Sequence, residues 1–312
     1  MVGCVLALLF PGQGSQRPEM GAPWRGHPAW AVVDRISEAT GRDVASLLTE
    51  ADADTLKATR NAQLAAYALS LVTLYAARAG GLEYVPFTAV AGHSLGEYTA
   101  LVAAGAMPAE AGAELVAARG EAMQAAADSG PGTMAAVLGL DPDLVRQACH
   151  GIEGAWPAND NAPGQVVIAG TAEGVEQAGE AARALGAKRV MPLPVGGAFH
   201  SPLMAPAQVR LDQALGSAHF HDATVDVVAN VDAAAHRHGF ADLLSRQLTA
   251  PVRWRESMLT MEKLGVTHFL ELGPGTELSG MVKRTVADSV RANVATPDDL
   301  DKLMTFLEPL RG

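Results

Sequence analysis

The sequence predicts an α/β fold: one large domain of alternating strands and helices, interrupted by a small domain of βαββαβ order. Three observations carry that prediction. A short apolar run from Ala89 ends in Gly-x-Ser-x-Gly at Gly92 to Gly96 and passes straight into a helix-prone stretch, Glu97 to Ala104. That context is a nucleophile elbow, a sharp strand-to-helix turn that exposes the hydroxyl of Ser94. After residue 130 the order becomes strand, helix, strand, strand, helix, strand, which is the ferredoxin-like arrangement. From Pro194 the strand–helix alternation resumes. The small domain, 130–195, is therefore an insertion in a discontinuous large domain, 1–129 and 196–312.

Composition sets the outer limits. A chain of 312 residues buries a sizeable core, and 49% apolar with 18% charged residues argues against disorder. A formal charge of −11 disfavours nucleic acid or an anionic membrane as partner. No apolar stretch reaches spanning length, and the run Val5 to Phe10 lacks a basic lead-in and a cleavage site, so a cytoplasmic location is expected. Two cysteines cannot build a disulfide framework; Cys4 and Cys149 read as reduced thiols in or near the core. No metal-ligand spacing is evident.

In order along the chain, Cys4 to Phe10 reads as a buried strand running into the glycine-rich stretch Pro11 to Gln16. Such a loop aims backbone N–H groups at an anion or oxyanion. It lacks the Lys-Ser/Thr ending of a phosphate loop, and an ordinary turn is the alternative. Residues 28 to 60 look helical with a polar face. Asn61 to Ala79 is a long helix with too little polar face for the surface, so it should cross the interior. Glycines 92 and 96 relieve crowding at the elbow, and Ser94 sits at a helix N-terminus that favours developing negative charge. Pro108 to Ala127 makes a further helix, with Leu115, Val116, Ala122, Met123 and Ala126 inward. Arg119 falls on the same face, where an unpaired guanidinium is costly. Its partner is either a core carboxylate or the carboxylate of a substrate held by the guanidinium fork.

Gly130-Pro131-Gly132 is the expected boundary of the small domain. Strands are expected at Met134 to Leu138, near Trp156, at Gln165 to Ala169 and at Lys188 to Leu193. Helices are expected at Asp141 to Cys149 and Thr171 to Leu185. The small domain carries few chemical groups and reads as a wall or lid. Beyond it, Ser201-Pro202 starts a helix with His200 just before its N-terminus, where the helix dipole favours a neutral imidazole. Taken alone, however, one histidine of nine reads first as a surface or satisfied core residue. Strands follow at Thr224 to Val228 and Thr267 to Leu272, the second ending in a Gly-Pro-Gly turn before a helix. His236 to His238 reads as a solvated loop.

Several of these stretches together resemble one family: the malonyl-CoA:acyl-carrier-protein transacylases and the related acyltransferase domains of polyketide synthases. They are Phe10 to Gln16, Gly92 to Tyr98, Arg119 to Gln124, Pro163 to Gly170, Phe199 to Met204, Arg246 to Leu248 and Glu271 to Gly275. The resemblance implies an α/β-hydrolase-like large domain with a ferredoxin-like insert. It implies Ser94 as nucleophile, His200 as base, the N–H groups of Gln13 and Leu95 as oxyanion hole, and Arg119 as the grip on the acyl carboxylate. Gln247 matches the position that orients the histidine, and Phe199 resembles that of malonyl-selective members. Implied too are an acyl-CoA donor, an acyl-carrier-protein acceptor bringing its own phosphopantetheine, no resident cofactor or metal, and a monomer. Gln63-Leu64 departs from the family's usual Gln-Pro, and the loop from Asn230 to Asp242 looks slightly short.

The alternatives are an esterase or thioesterase on the same elbow, a trans-acting acyltransferase with a non-malonyl acyl group, and a non-catalytic carrier-binding homologue. Arg119 and the absence of a His-Gly-Gly-Gly loop count against the hydrolase. An acidic carrier protein needs a local basic patch on this acidic chain; Arg189, Arg253, Arg255, Lys283 and Arg284 are the candidates.

Overall fold

The run Leu6–Phe10 is apolar at every position, and a strand of that kind must be covered on both faces. It is. In the structure, a computed structural model that describes residues 4–130 and 132–311, this strand (β1) lies inside a six-stranded sheet. The other members, numbered along the chain, are β2 (Phe87–Gly92), β7 (Asp226–Val228), β8 (Ala235–His236), β9 (His268–Leu272) and β10 (Val290–Val294). The order is β10-β9-β1-β2-β7-β8, parallel except for β8. One core covers the sheet face that bears Leu6, Leu8 and Phe10; a second, with Trp254 and Met258, covers Ala7 and Leu9. The expected interior helix runs Thr59–Ala79 and is buried along nearly all its length.

The four strands β3 (Thr133–Leu138), β4 (Ala155–Ala162), β5 (Gln165–Gly170) and β6 (Arg189–Pro192) form a separate antiparallel sheet of order β4-β5-β3-β6. Helices Pro142–Cys149 and Ala172–Ala184 pack on it through Val145, Val175 and Ala178 against Val137 and Ile168. Asp141 and Thr171 cap them, accepting from the N–H groups of Asp143 at 2.8 Å and Gly174 at 3.0 Å. Strand order and connection are those of the ferredoxin-like arrangement. The expected boundary runs through Pro131, which lies outside the described residues.

A backbone bridge ties the small sheet to the segment just before the helix Trp254–Lys263, and His93, next after β2, meets Asn161 of β4 at 2.8 Å. Asn159 of β4 bridges Val252 in parallel, with Val252 donating to the Ala158 carbonyl at 2.8 Å and Asp160 to the Val252 carbonyl at 2.9 Å. Arg255 clasps the Asp160 carboxylate with two nitrogens at 2.8 and 3.0 Å.

Four expectations need correction. Cys4 is exposed rather than near-core, because the strand begins only at Leu6; Cys149 is buried, and both thiols are free. His236 pairs in β8 instead of lying in a free loop, held by Asp232 at 3.0 Å. The strand near Trp156 extends to Ala162, bringing Asn159, Asp160 and Asn161 into buried positions. The helix after His200 opens with a short 3-10 turn, Pro202–Met204, before the α-helix Ala205–Ser217.

Candidate active site

The elbow is built from two close approaches. A Cβ placed on Gly92 would lie 1.8 Å from the carbonyl carbon of Gly96, and one on Gly96 would lie 2.1 Å from the Phe10 oxygen. Only glycine fits either place, so β2 can reverse directly into the helix Gly96–Ala103. Ser94 at the apex has φ +52°, a left-handed conformation that costs a side-chain-bearing residue energy and is held by its surroundings. His200 shares it, at φ +58°.

Their side chains meet. The Ser94 Oγ lies 2.7 Å from His200 Nε2, and His200 Nδ1 lies 3.0 Å from the main-chain carbonyl of Gln247. A carbonyl only accepts, so Nδ1 carries the proton and Nε2 is left as the acceptor facing the serine hydroxyl. Burial, and then the nearby charge of Arg119, push the His200 pKa down to about 3. Desolvation and that charge keep the ring neutral; a helix dipole, expected from the sequence, is not needed.

Arg119 is on the inward face of the helix Ala109–Ser129 and only 1% exposed. One nitrogen donates to Gln63 Oε1 at 2.7 Å, the other to Ser94 Oγ and to Gln247 Oε1 at 3.0 Å each. Its Nε has no acceptor among the described residues, and its guanidinium carbon sits 5.8 Å above the Tyr98 ring. Among the described residues no carboxylate lies within 4.0 Å of it. A buried cation held only by neutral oxygens is poised for an anion.

The Gln247 side chain, expected to orient the histidine, does something else. Its amide nitrogen donates to the Ser94 carbonyl at 2.9 Å and to Glu97, while only its main-chain oxygen reaches the imidazole. Behind the elbow, Asn230 accepts from the Ser94 N–H at 2.6 Å and donates to the Gly92 carbonyl at 2.8 Å, spanning the turn. The Glu97 carboxyl accepts from the Asn230 N–H at 3.0 Å; burial pushes its pKa up to about 8 against the pull of Gln247, Asn230 and Arg119.

These groups open onto a cleft of about 490 Å³ between the two sheets. Gln13, Ser94, Arg119, Phe199 and His200 line one side, and Met134, Asn161 and Val167 of the small sheet line the other. Leu95 follows Ser94 and is buried; neither its N–H nor that of Gln13 has an acceptor among the described residues. Free N–H groups beside a nucleophile suit a developing oxyanion. Among the described residues no three His, Cys, Asp or Glu side chains gather to hold a metal ion.

Of the residues tied to this site, Gln63, Glu97 and Asn230 were not read as chemical. Gln63 and Glu97 left a signal, a polar group on an otherwise apolar helix face; Asn230 left none, since only the fold brings it to residue 92. Of the basic candidates for a docking patch, Arg253 and Arg255 are tied to Glu256 and Asp160, whereas Arg189, Lys283 and Arg284 are exposed.

The model of the acyl transferase domain family matches residues 7–307. The chain is similar to the malonyl CoA-acyl carrier protein transacylase of Bacillus subtilis, 42% identical over 311 residues and 97% of each chain. It is 43% identical to that of Escherichia coli K12 over 90% of this chain and 92% of the relative. Among solved structures, an acyl-carrier-protein S-malonyltransferase from Burkholderia pseudomallei superposes with a TM-score of 0.92 at 41% identity, covering 96% of this chain and 99% of the other. A malonyl-transacylase solved in complex with a type II polyketide synthase acyl-carrier protein gives 0.91 at 36%, with the same coverage.

Proposed function

Because the chain belongs to the acyl transferase domain family, we propose that it moves a malonyl group from malonyl-CoA to the phosphopantetheine thiol of an acyl carrier protein, by way of an ester on Ser94. The observation that carries this is the line Arg119–Ser94–His200–Gln247, in which an activated hydroxyl touches a cation that lacks a carboxylate. The high-coverage relatives and that cation together dispose of the esterase alternative.

Ser94 gives its proton to His200 Nε2 as its oxygen attacks the thioester carbonyl. The carbonyl oxygen gathers negative charge, which the N–H groups of Gln13 and Leu95 take up. The carbon–sulfur bond breaks, and CoA leaves with the proton from His200. The carrier thiol then enters, gives its proton to His200, and attacks the ester; the carbon–oxygen bond breaks and Ser94 recovers its hydrogen. Arg119 holds the acyl carboxylate throughout, with Phe199 beside it in the cleft. These steps draw on side chains and main-chain N–H groups of this chain alone. Free cysteines fit a reducing cytoplasm, and among the described residues no helix is long and apolar enough to cross a membrane.

Intact-mass measurement after incubation with malonyl-CoA tests the assignment. Wild type should gain one malonyl group, released on adding a carrier protein, and Ser94→Ala should gain none while folding normally. A covalent adduct that persists in Ser94→Ala overturns it.

A further inference from the structure

Glu97 takes no part in the steps above, yet it is a carboxyl buried to 4% exposure one residue beyond the elbow. Leaving a carboxyl there is costly unless its contacts are used. One oxygen accepts from the Asn230 N–H and the other from the Gln247 amide.

An amide side chain has one donor end and one acceptor end. The Ser94 carbonyl that meets the nitrogen of Gln247 can only accept, and a Glu97 oxygen accepts from the same nitrogen. The amide oxygen is therefore turned the other way, onto Arg119 at 3.0 Å. The far prong of Arg119 is held in the same manner by Gln63 Oε1. Two amide oxygens and the Ser94 Oγ thus set the plane of a guanidinium that no ion pair among the described residues fixes. One of the amides is met in turn by Glu97. We propose that Glu97 is a positioning residue for the transfer reaction: its carboxyl fixes which way the Gln247 amide faces, and the amide aims Arg119 at the acyl carboxylate. This deepens the function proposed above and rests on it.

A purely structural Glu97 would affect folding, or all steps alike. A positioning role acts through Gln247 and appears as coupling between the two residues. The test is a double-mutant cycle on malonyl loading of Ser94, with kcat and KM separated. Glu97→Met and Gln247→Met each keep side-chain volume and, in the second case, the main-chain carbonyl that holds His200. Each should lower kcat/KM about tenfold, mostly through KM, and the double variant should fall no more than about twofold below the weaker single one. If the losses multiply to about a hundredfold, or if Glu97→Met loads like wild type, the proposal is overturned. Should Glu97→Met not fold, Glu97→Gln, which keeps one acceptor, enters the same cycle under the same criteria. A wild type that takes up no malonyl group overturns the function and this inference with it; normal wild-type loading with multiplying losses overturns the inference alone.

Discussion

At the scale of single residues, a serine hydroxyl is a poor nucleophile until a neighbour can take its proton at neutral pH. His200 stands ready with its Nε2 lone pair, although a lowered pKa makes it a weaker base. Burial, then Arg119, hold that pKa near 3, far below the ordinary 6.5, and so leave the ring unprotonated at neutral pH. The unfolded chain takes up this proton below about pH 6.5, while the folded protein resists until about pH 3. The unfolded state therefore binds more protons in that window, and stability is lost as pH falls through it. His200→Gln should remove about 1–2 kcal/mol of the loss between pH 7 and 5, read by urea unfolding of both proteins. In wild type, the acylation rate should show no ionisation near pH 6.5. Arg119 yields a second prediction. In Arg119→Ala, malonyl enters with its carboxylate unpaired, losing roughly 2–5 kcal/mol, or about 30- to 4,000-fold in loading, while acetyl, which has no carboxylate, loses far less. Equal losses for both acyl groups would mark Arg119 as a structural cation. Ser94 was legible in the sequence because the elbow pattern declares it. Arg119 stood out on an inward face with its partner left open, and the role of His200 came only with the family resemblance. The Gln247 position was legible but not its division of labour, since main-chain and side-chain oxygens share one residue number.

At the scale of elements, the strands with continuous apolar runs and the capped helices stood where the sequence placed them. Val290–Val294 escaped notice because Arg291 and Asn293 interrupt it, as suits a half-covered edge strand. The two-residue strand at 235 is too short for any periodicity. The elbow itself rests on close approach rather than on hydrophobic pattern. Gly92→Ala should prevent accumulation of folded protein, because its Cβ would meet backbone atoms that cannot move aside without breaking the β2-to-helix turn. Gly196→Ala, where nothing lies within 4 Å, should fold like wild type. Soluble yield and circular-dichroism melting of the two variants decide it; a well-folded Gly92→Ala would mean that the turn relaxes.

At the scale of the whole molecule, the cleft has walls from two sheets. Strand β4 of the smaller is tied across by a backbone bridge to Val252, a partly buried ion pair with Arg255 and the His93–Asn161 hydrogen bond. Arg255→Ala leaves Asp160 without its clasp and should cost about 1–3 kcal/mol in urea unfolding, with a rise in KM for the acyl donor as the walls loosen. An unchanged midpoint and KM would show that the backbone bridge suffices. That pair was hidden in the sequence because its partners, one in strand β4 and one in the helix Trp254–Lys263, lie 95 residues apart. The position of β1 has another consequence, for the order in which the molecule comes into being. One edge of β1 is covered by β2, but the other waits for β9, which lies almost a full chain length away. A growing polypeptide leaving the ribosome carries that bare apolar edge until His268 to Leu272 has emerged. Over most of the same interval the serine has neither its imidazole at 200 nor the carbonyl at 247 that presets it. The nascent protein is thus adhesive and chemically silent at once until residue 247 has emerged, and adhesive alone until β9 follows. Chains stopped before residue 266 should sediment with aggregates, and those stopped before residue 247 should also take up no acyl group, however well their elbow sequence is preserved.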